Sequence, residues 1–276
     1  GRGPPPAPPA GSLSPPPGVQ PVDWAPPAPG PWEAALDGAD AVINLAGEPV
    51  AGGRWTEARK LCILQSRVLA TGALVAAAAK AARRPKALLN GSAVGYYGDI
   101  PEGDADENRP PGADFLAKVC VCWEEAAAKA ENLGLRVVRL RTGHVLGRDG
   151  GMLAKMMPPF QLFIGGPLGS GRQWLPWIHR HDEVEAILFC LENEISGPVN
   201  LCAPAPERMR AFCRELGKVL HRPSWAPAPA FALRLLLGEM AELVLGGQRA
   251  VPAKLTAAGF RFRYPLLSEA LADLCR

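Results

Sequence analysis

Three short apolar runs, each ending in small residues and separated by long proline-free stretches, constrain this chain more than any other feature it has. They are DAVINLAG at 40–47, KALLNGS at 86–92 and LRVVRLR at 135–141, the last followed by Thr142 and Gly143. Apolar runs of this length, with little polar alternation, suit strands buried on both faces. Between them, residues 54–82 and 114–133 are rich in Ala, Leu, Lys and Glu, and neither holds a proline, which favours helix. Strand and helix alternating in this order build βαβ units, whose crossovers give a parallel sheet covered by helices on both faces. The predicted fold class is α/β.

The rest of the chain is less regular. The pattern predicts helices over 152–163, 181–194, 206–220 and 231–245, a short strand over 198–202 and a glycine-rich loop over 165–171. It describes a small, α-rich lobe on the substrate side, and no internal repeat has a solenoid period. The first 31 residues hold 13 of the chain's 30 prolines. Each proline fixes φ and removes a backbone donor, so this leader is expected to be disordered and low in complexity. A polyproline ligand for an aromatic groove is the alternative reading of it. The predicted organisation is a leader over 1–31, a nucleotide-binding part over 32–150 and a second lobe over 151–276.

Composition narrows the function classes. With 30 basic and 27 acidic residues the net charge is +3, too balanced to steer a nucleic acid or another polyanion. Seven cysteines form no CxxC pair, and only four histidines accompany them, so no metal site is expected. The thiols read as reduced, in an intracellular and most simply cytoplasmic setting. The most apolar late stretch is interrupted by Arg234, Glu239 and Glu242, which is wrong for lipid, so no membrane partner is expected. No charged segment followed by an apolar core marks a secretory signal. A small-molecule substrate is the expected partner, and a homodimer is compatible with the pattern.

In an open parallel sheet, ligands bind beyond the carboxyl ends of the strands. The residues there are Asn44 to Gly47 after the first strand, Gly91, Ser92 and VGYYG at 94–98 after the second, and Thr142 to Gly147 after the third. Small residues at three successive turns let a flat cofactor lie against backbone. A hydroxyl such as Ser92 can hold a reacting carbonyl or alcohol oxygen.

NLAG at 44–47, SAVGYYGD at 92–99, FLAKVCVCWEEAA at 115–127, LRTGHVLGRDGG at 140–151 and GSGRQWLPWIHRHDEVEAI at 169–187 together resemble the atypical extended short-chain dehydrogenase/reductases. More narrowly, the ordered set is similar to the family 39U epimerase proteins and their bacterial relatives. The resemblance runs from about residue 22 through GFRFRYPLLSEAL at 259–271. It implies a Rossmann fold, bound NADP and an oxidoreductase or epimerase role of unknown substrate. It implies cofactor contacts at Leu45 and Ala46, with Gly47 beside them, at Arg67 on the long helix and at Val145 after the third strand. Relatives often carry an acidic residue five positions before that arginine, where this chain has Cys62.

Two departures stand out. These enzymes ordinarily begin with strand–GxxGxxG–helix, whose glycines and helix N-terminus hold the pyrophosphate. No such motif occurs here, and the proline-rich leader stands in its place. The expected sheet therefore lacks the N-terminal βαβ half-unit, and the expectation is a truncated, alternatively spliced or wrongly read form in which NADP binding is weak or lost. These enzymes also carry Tyr-x-x-x-Lys, the tyrosine as acid/base. Anchored on Glu124, the tyrosine slot falls at Leu116 and the lysine slot at Cys120, with Lys118 on another face of the helix. Ser92 remains as a candidate catalytic residue, and Tyr96, or its neighbour Tyr97, is the candidate proton donor. A non-catalytic Rossmann-like binding or regulatory module is the alternative function. In the 169–182 block, Arg172, Gln173 and His179 are candidate polar substrate contacts, and Trp174 and Trp177 read as loop anchors. Asp182 reads as a helix N-cap completed by Glu185.

Overall fold

The computed structural model describes residues 16–276 of the chain, so the first half of the proline-rich leader lies outside the described residues. Within the rest of the leader, Trp24 is half-buried and meets Trp32 edge-on at 6.0 Å.

Four parallel strands form the central sheet: β1 (Ala41–Asn44), β2 (Ala87–Ala93), β3 (Arg136–Thr142) and β4 (Gly197–Leu201), paired in that order. The register sets Asn44 beside Asn90 and Ala93 beside Thr142. Side chains alternate across the sheet. Leu88 and Val137 pack with Trp32, Leu74 and Ala127 on one face, whereas Leu89, Val138, Leu140 and Val199 pack with Ile187, Cys190 and Leu255 on the other. The outer edge of β1 has no strand beside it among the described residues. Ile43 and Leu45 are exposed there, as are Leu61 and Leu69 of the adjoining helix.

The first face is covered by α1 (Glu57–Lys80) and α2 (Phe115–Ala128). Thr56 caps α1 by accepting from the Arg59 amide at 3.2 Å, and Asp114 caps α2 by accepting from the Ala117 amide at 2.8 Å. Among the described residues α1 alone is long and apolar enough to cross a bilayer. No segment was expected to pass that test. Here α1 buries Ile63, Ala70, Leu74, Ala77 and Ala78 against the sheet.

Farther along the chain come α3 (Gly151–Gln161), α4 (Arg180–Glu192), which covers the other face of the sheet, α5 (Met209–Leu220), α6 (Ala230–Leu237) and α7 (Leu267–Leu274). A second core gathers Leu153, Phe160, Trp177, Phe212, Leu216 and Leu271. The single helix expected over 231–245 is broken, because Gly238 takes φ 63° and ψ −139°, outside the helical region and open only to glycine.

Asp182 is not the cap of α4, contrary to the capping-box reading. His179 caps that helix through Nδ1, which accepts from the His181 amide at 3.0 Å. Asp182 instead accepts from the amides of Arg263 and Tyr264, each at 2.9 Å, and so ties the C-terminal segment to α4. Asp182→Asn keeps one neutral acceptor and loses the charge. It is expected to cost about 1–2 kcal/mol, read by urea unfolding, with faster hydrogen exchange at those two amides.

Candidate functional site

The floor of the site is a buried hydrogen-bond knot that locks four elements together. Asn44 Nδ2 donates to Thr71 Oγ1 at 3.0 Å and to Asn90 Oδ1 at 2.7 Å, and Trp123 Nε1 donates to Thr71 Oγ1 at 3.0 Å. Asn44, Thr71 and Asn90 are at most 1% exposed, so each polar atom needs a protein partner, and the knot supplies it. Asn44 Oδ1 also accepts from the Ala46 amide at 3.2 Å, which sets the turn leaving β1.

Above this floor a cavity of about 710 Å³ opens at the carboxyl ends of β1, β2 and β3. Leu45, Arg67, Ser92 and Val145 all stand on its wall, as do Thr142 and Gly143. Val145 is presented by the short segment His144–Leu146, which pairs in parallel with Trp177–His179. Gly91 is obligatory at the rim, since a Cβ there would stand 2.7 Å from the Trp123 ring.

The other predicted site residues lie elsewhere. Ala46 and Gly47 line a second cavity of about 580 Å³ on the outer side of β1 and α1, with Trp24, Leu61 and Ser66. Tyr96 is not on the wall of the first cavity. Its ring lies under the Arg141 guanidinium, with Cζ 3.5 Å from the ring centroid. Tyr97 is engaged as well: its hydroxyl donates to Asn200 Oδ1 at 2.7 Å and accepts from Arg141 Nη1 at 3.0 Å, and burial pushes its pKa up to about 12. Arg172, Gln173 and His179 also stay off this cavity. Gln173 Nε2 donates to the carbonyls of Leu168 and Val244, and His179 stacks on Tyr264 at 3.9 Å. Trp174 and Trp177 anchor the loop, donating to the carbonyls of Pro101 and Ala205.

Arg67 works chiefly as a strut. Its Nη1 donates to the carbonyls of Glu48 and Ile63, each at 3.0 Å, and its guanidinium lies 5.0 Å from the Trp123 ring centroid. Gly47 makes room for it, because a Cβ there would stand 2.9 Å from Arg67 Cζ. Burial lowers the Arg67 pKa.

Ser92 is held by a buried ion pair. Glu124 receives Arg141 Nε at 2.8 Å and Nη2 at 2.9 Å, a two-pronged contact with both side chains almost fully enclosed. The Ser92 hydroxyl donates to Glu124 Oε1 at 2.7 Å. Its proton is therefore committed, and toward the cavity Ser92 has only lone pairs to offer. Of the two oxygens expected to meet Ser92, this arrangement suits the alcohol O–H and not the carbonyl. Leu116 and Cys120, at the slots of the usual tyrosine and lysine, do line the cavity. Burial raises the Cys120 thiol to about 12, so it is not a nucleophile at neutral pH.

A buried carboxylate of the wall was not anticipated. Glu183, in the first turn of α4, is 9% exposed, and its Oε1 accepts from Thr142 Oγ1 at 2.9 Å. Its Oε2 has no partner, and burial pushes the carboxyl up to about 7. The sequence does carry a signal for it: Glu183 falls in line with Ala186, Ile187 and Cys190, the buried stripe of α4. His144, also on the wall, is held neutral by burial, with its pKa down to about 4.

The residues present suit the flat ring of a nicotinamide: small residues at the turns, a largely apolar wall and one unpartnered buried carboxyl oxygen. Toward phosphates they offer less. Arg67 is the single Lys or Arg of the wall among the described residues, and its Nη1 is already spent.

The profile of the NAD dependent epimerase/dehydratase family matches residues 25–202, and that of a domain of unknown function, DUF1731, matches residues 228–274. The chain is 47% identical over 243 residues to the chloroplastic "Epimerase family protein SDR39U1 homolog" of Arabidopsis thaliana, covering 87% of this chain and 70% of that protein. It is 42% identical over 258 residues to an epimerase family protein of Staphylococcus aureus, covering 92% of this chain and 85% of that one. The crystal structure of human epimerase family protein SDR39U1 (isoform 2) with NADPH superposes with a TM-score of 0.81 at 33% identity, over 90% of this chain and 88% of that one. By profile, sequence and fold alike, the chain belongs to the NAD-dependent epimerase/dehydratase family of short-chain dehydrogenase/reductases, in its SDR39U1-like branch with a C-terminal DUF1731 domain.

Proposed function

We propose that the 710 Å³ cleft is the site of an NADP-linked oxidoreductase or epimerase-type reaction on a small molecule. The observation that carries this reading is the convergence of the turns after β1, β2 and β3 on one apolar cavity, with Leu45, Ser92 and Val145 on its wall. NADPH in the human SDR39U1 structure supports the choice of cofactor. Leu45 and Val145 would flank the ring, and Arg67 would stand toward the phosphates. When bound, the cofactor supplies the exchange of a hydride with a carbon of the substrate. Ser92 accepts a hydrogen bond from a substrate hydroxyl, and the apolar wall keeps water from that oxygen.

NADPH binding in this cleft is expected to be saturable. A fluorescence titration of the full chain with NADPH tests this. No saturation at millimolar NADPH would remove the cofactor. The second reading, a non-catalytic Rossmann-like binding module, is favoured by Leu116 and Cys120 at the positions of the acid/base pair. Absence of NADPH oxidation with a panel of carbonyl compounds, despite NADPH binding, would select it. A reducing intracellular setting belongs to the same proposal and is supported by seven cysteines that are all free thiols. So does a homodimer, which sedimentation would test.

A further inference from the structure

Two buried carboxyls near the cleft are in different circumstances: Glu183 lines it, and Glu124 stands behind Ser92. Glu124 is saturated by Arg141 and Ser92, whereas Glu183 has one oxygen engaged by Thr142 and one with no partner. No cation contacts Glu183 among the described residues. The titratable groups around it are His144 across the wall, Cys190 on its own helix and Cys202 just after β4. Burial holds the first neutral and raises both thiols. Its neighbour Asp182 is turned away to the amides of Arg263 and Tyr264. A carboxyl oxygen buried without a partner is costly, unless whatever occupies the cavity completes it.

We propose that Glu183 recognises an oxygen of the small-molecule ligand in this cleft, donating from Oε2 to a carbonyl oxygen when neutral and accepting from a hydroxyl when ionised. The inference rests on the cleft being the ligand site proposed above. Thr142 remains the donor to Oε1 in either state, so the orientation of the carboxyl does not depend on its charge. The sheet register adds a division of labour. Ser92 pairs with Arg141, and both reach Glu124 on the α2 face, whereas the next residue, Thr142, reaches Glu183 on the α4 face. Ser92 can only accept toward the cavity, and neutral Glu183 can donate. The cleft therefore suits a ligand that presents a hydroxyl on the α2 side and a carbonyl on the α4 side.

With the carboxyl pushed up to about 7, the donor form is full at acidic pH and is lost as pH rises through that value. The test uses the full chain labelled with δ-13C glutamate, as wild type, Glu183→Gln and Thr142→Val, with the aromatic dicarbonyl isatin as probe. One carboxyl resonance, absent from Glu183→Gln, is expected to titrate near neutrality and to move up by about one unit when isatin is added. Isatin is then expected to bind about tenfold more tightly at pH 6 than at pH 9 in the wild type, and equally at both in Glu183→Gln. If Glu183→Gln fails to fold, Thr142→Val identifies the same resonance by raising its midpoint, because the lost hydrogen bond favoured the carboxylate. A resonance that titrates in the ordinary carboxylate range, or that isatin leaves unmoved, would overturn the proposal and leave Glu183 as packing for Thr142. NADPH binding is measured in parallel. Its failure alongside a responsive Glu183 removes the cofactor reading alone, and its success alongside an unresponsive Glu183 removes this inference alone.

Discussion

Arg141→Met is expected to cost about 3–5 kcal/mol of unfolding free energy. Arg141 is 3% exposed and Glu124 is 4% exposed, and the guanidinium meets the carboxylate through two parallel hydrogen bonds. Removing the cation strands an uncompensated buried charge, with Ser92 as its one remaining side-chain donor. The cost comes from that stranding more than from the worth of the pair. The double variant Arg141→Met/Glu124→Leu should therefore recover most of the loss. Urea unfolding of the two single variants and the double variant at neutral pH reads this directly. A double variant as unstable as Arg141→Met would mean that Tyr96, Tyr97 and the Glu107 carbonyl, which also touch the guanidinium, carry the effect.

Trp123→Ala is the second large change, at about 3–5 kcal/mol. The indole is 6% exposed, donates to Thr71 at the floor of the site, backs onto Gly91 and carries the Arg67 guanidinium on its face. Its loss opens the cleft wall and removes a donor from the buried knot at once. Trp123→Phe keeps an aromatic face for Arg67 and loses the bond to Thr71. It should cost about 1–2 kcal/mol. Urea unfolding ranks the two, and equal costs would mean that the hydrogen bond, and not the filled volume, is what matters.

Much of the sheet was legible because buried parallel strands leave an unambiguous mark. DAVINLAG, KALLNGS and LRVVRLR match β1, β2 and β3 to within a residue or a few at each end, and the helices expected over 54–82 and 114–133 run over Glu57–Lys80 and Phe115–Ala128. Leu45, Ser92 and Val145 meet on one cavity because strand ends in such a sheet must converge there, and Arg67 reaches it from α1. Ala46 and Gly47 part from them because β1 is the outer strand of the described sheet, so the turn after it serves two cavities. Tyr96 was misplaced for a different reason: a tyrosine in a loop after a strand carries no local sign of what lies over its ring, and here Arg141 does. Glu183 went unseen because a carboxylate in the first turn of a helix ordinarily faces water and favours the helix dipole.

The sequence by itself determined the α/β class, the strand order along the chain, the family and the missing Tyr-x-x-x-Lys pair, since these depend on local pattern and residue identity. Tertiary structure alone decided which polar atoms are spent and which are free. Ser92 loses its donor to Glu124, Asp182 leaves the helix cap for the amides of Arg263 and Tyr264, and Glu183 keeps an unpartnered oxygen. The reason is physical: hydrogen-bond partners and desolvation come from residues distant in the chain, so a side chain's protonation state and donor capacity exist only once those residues have packed around it.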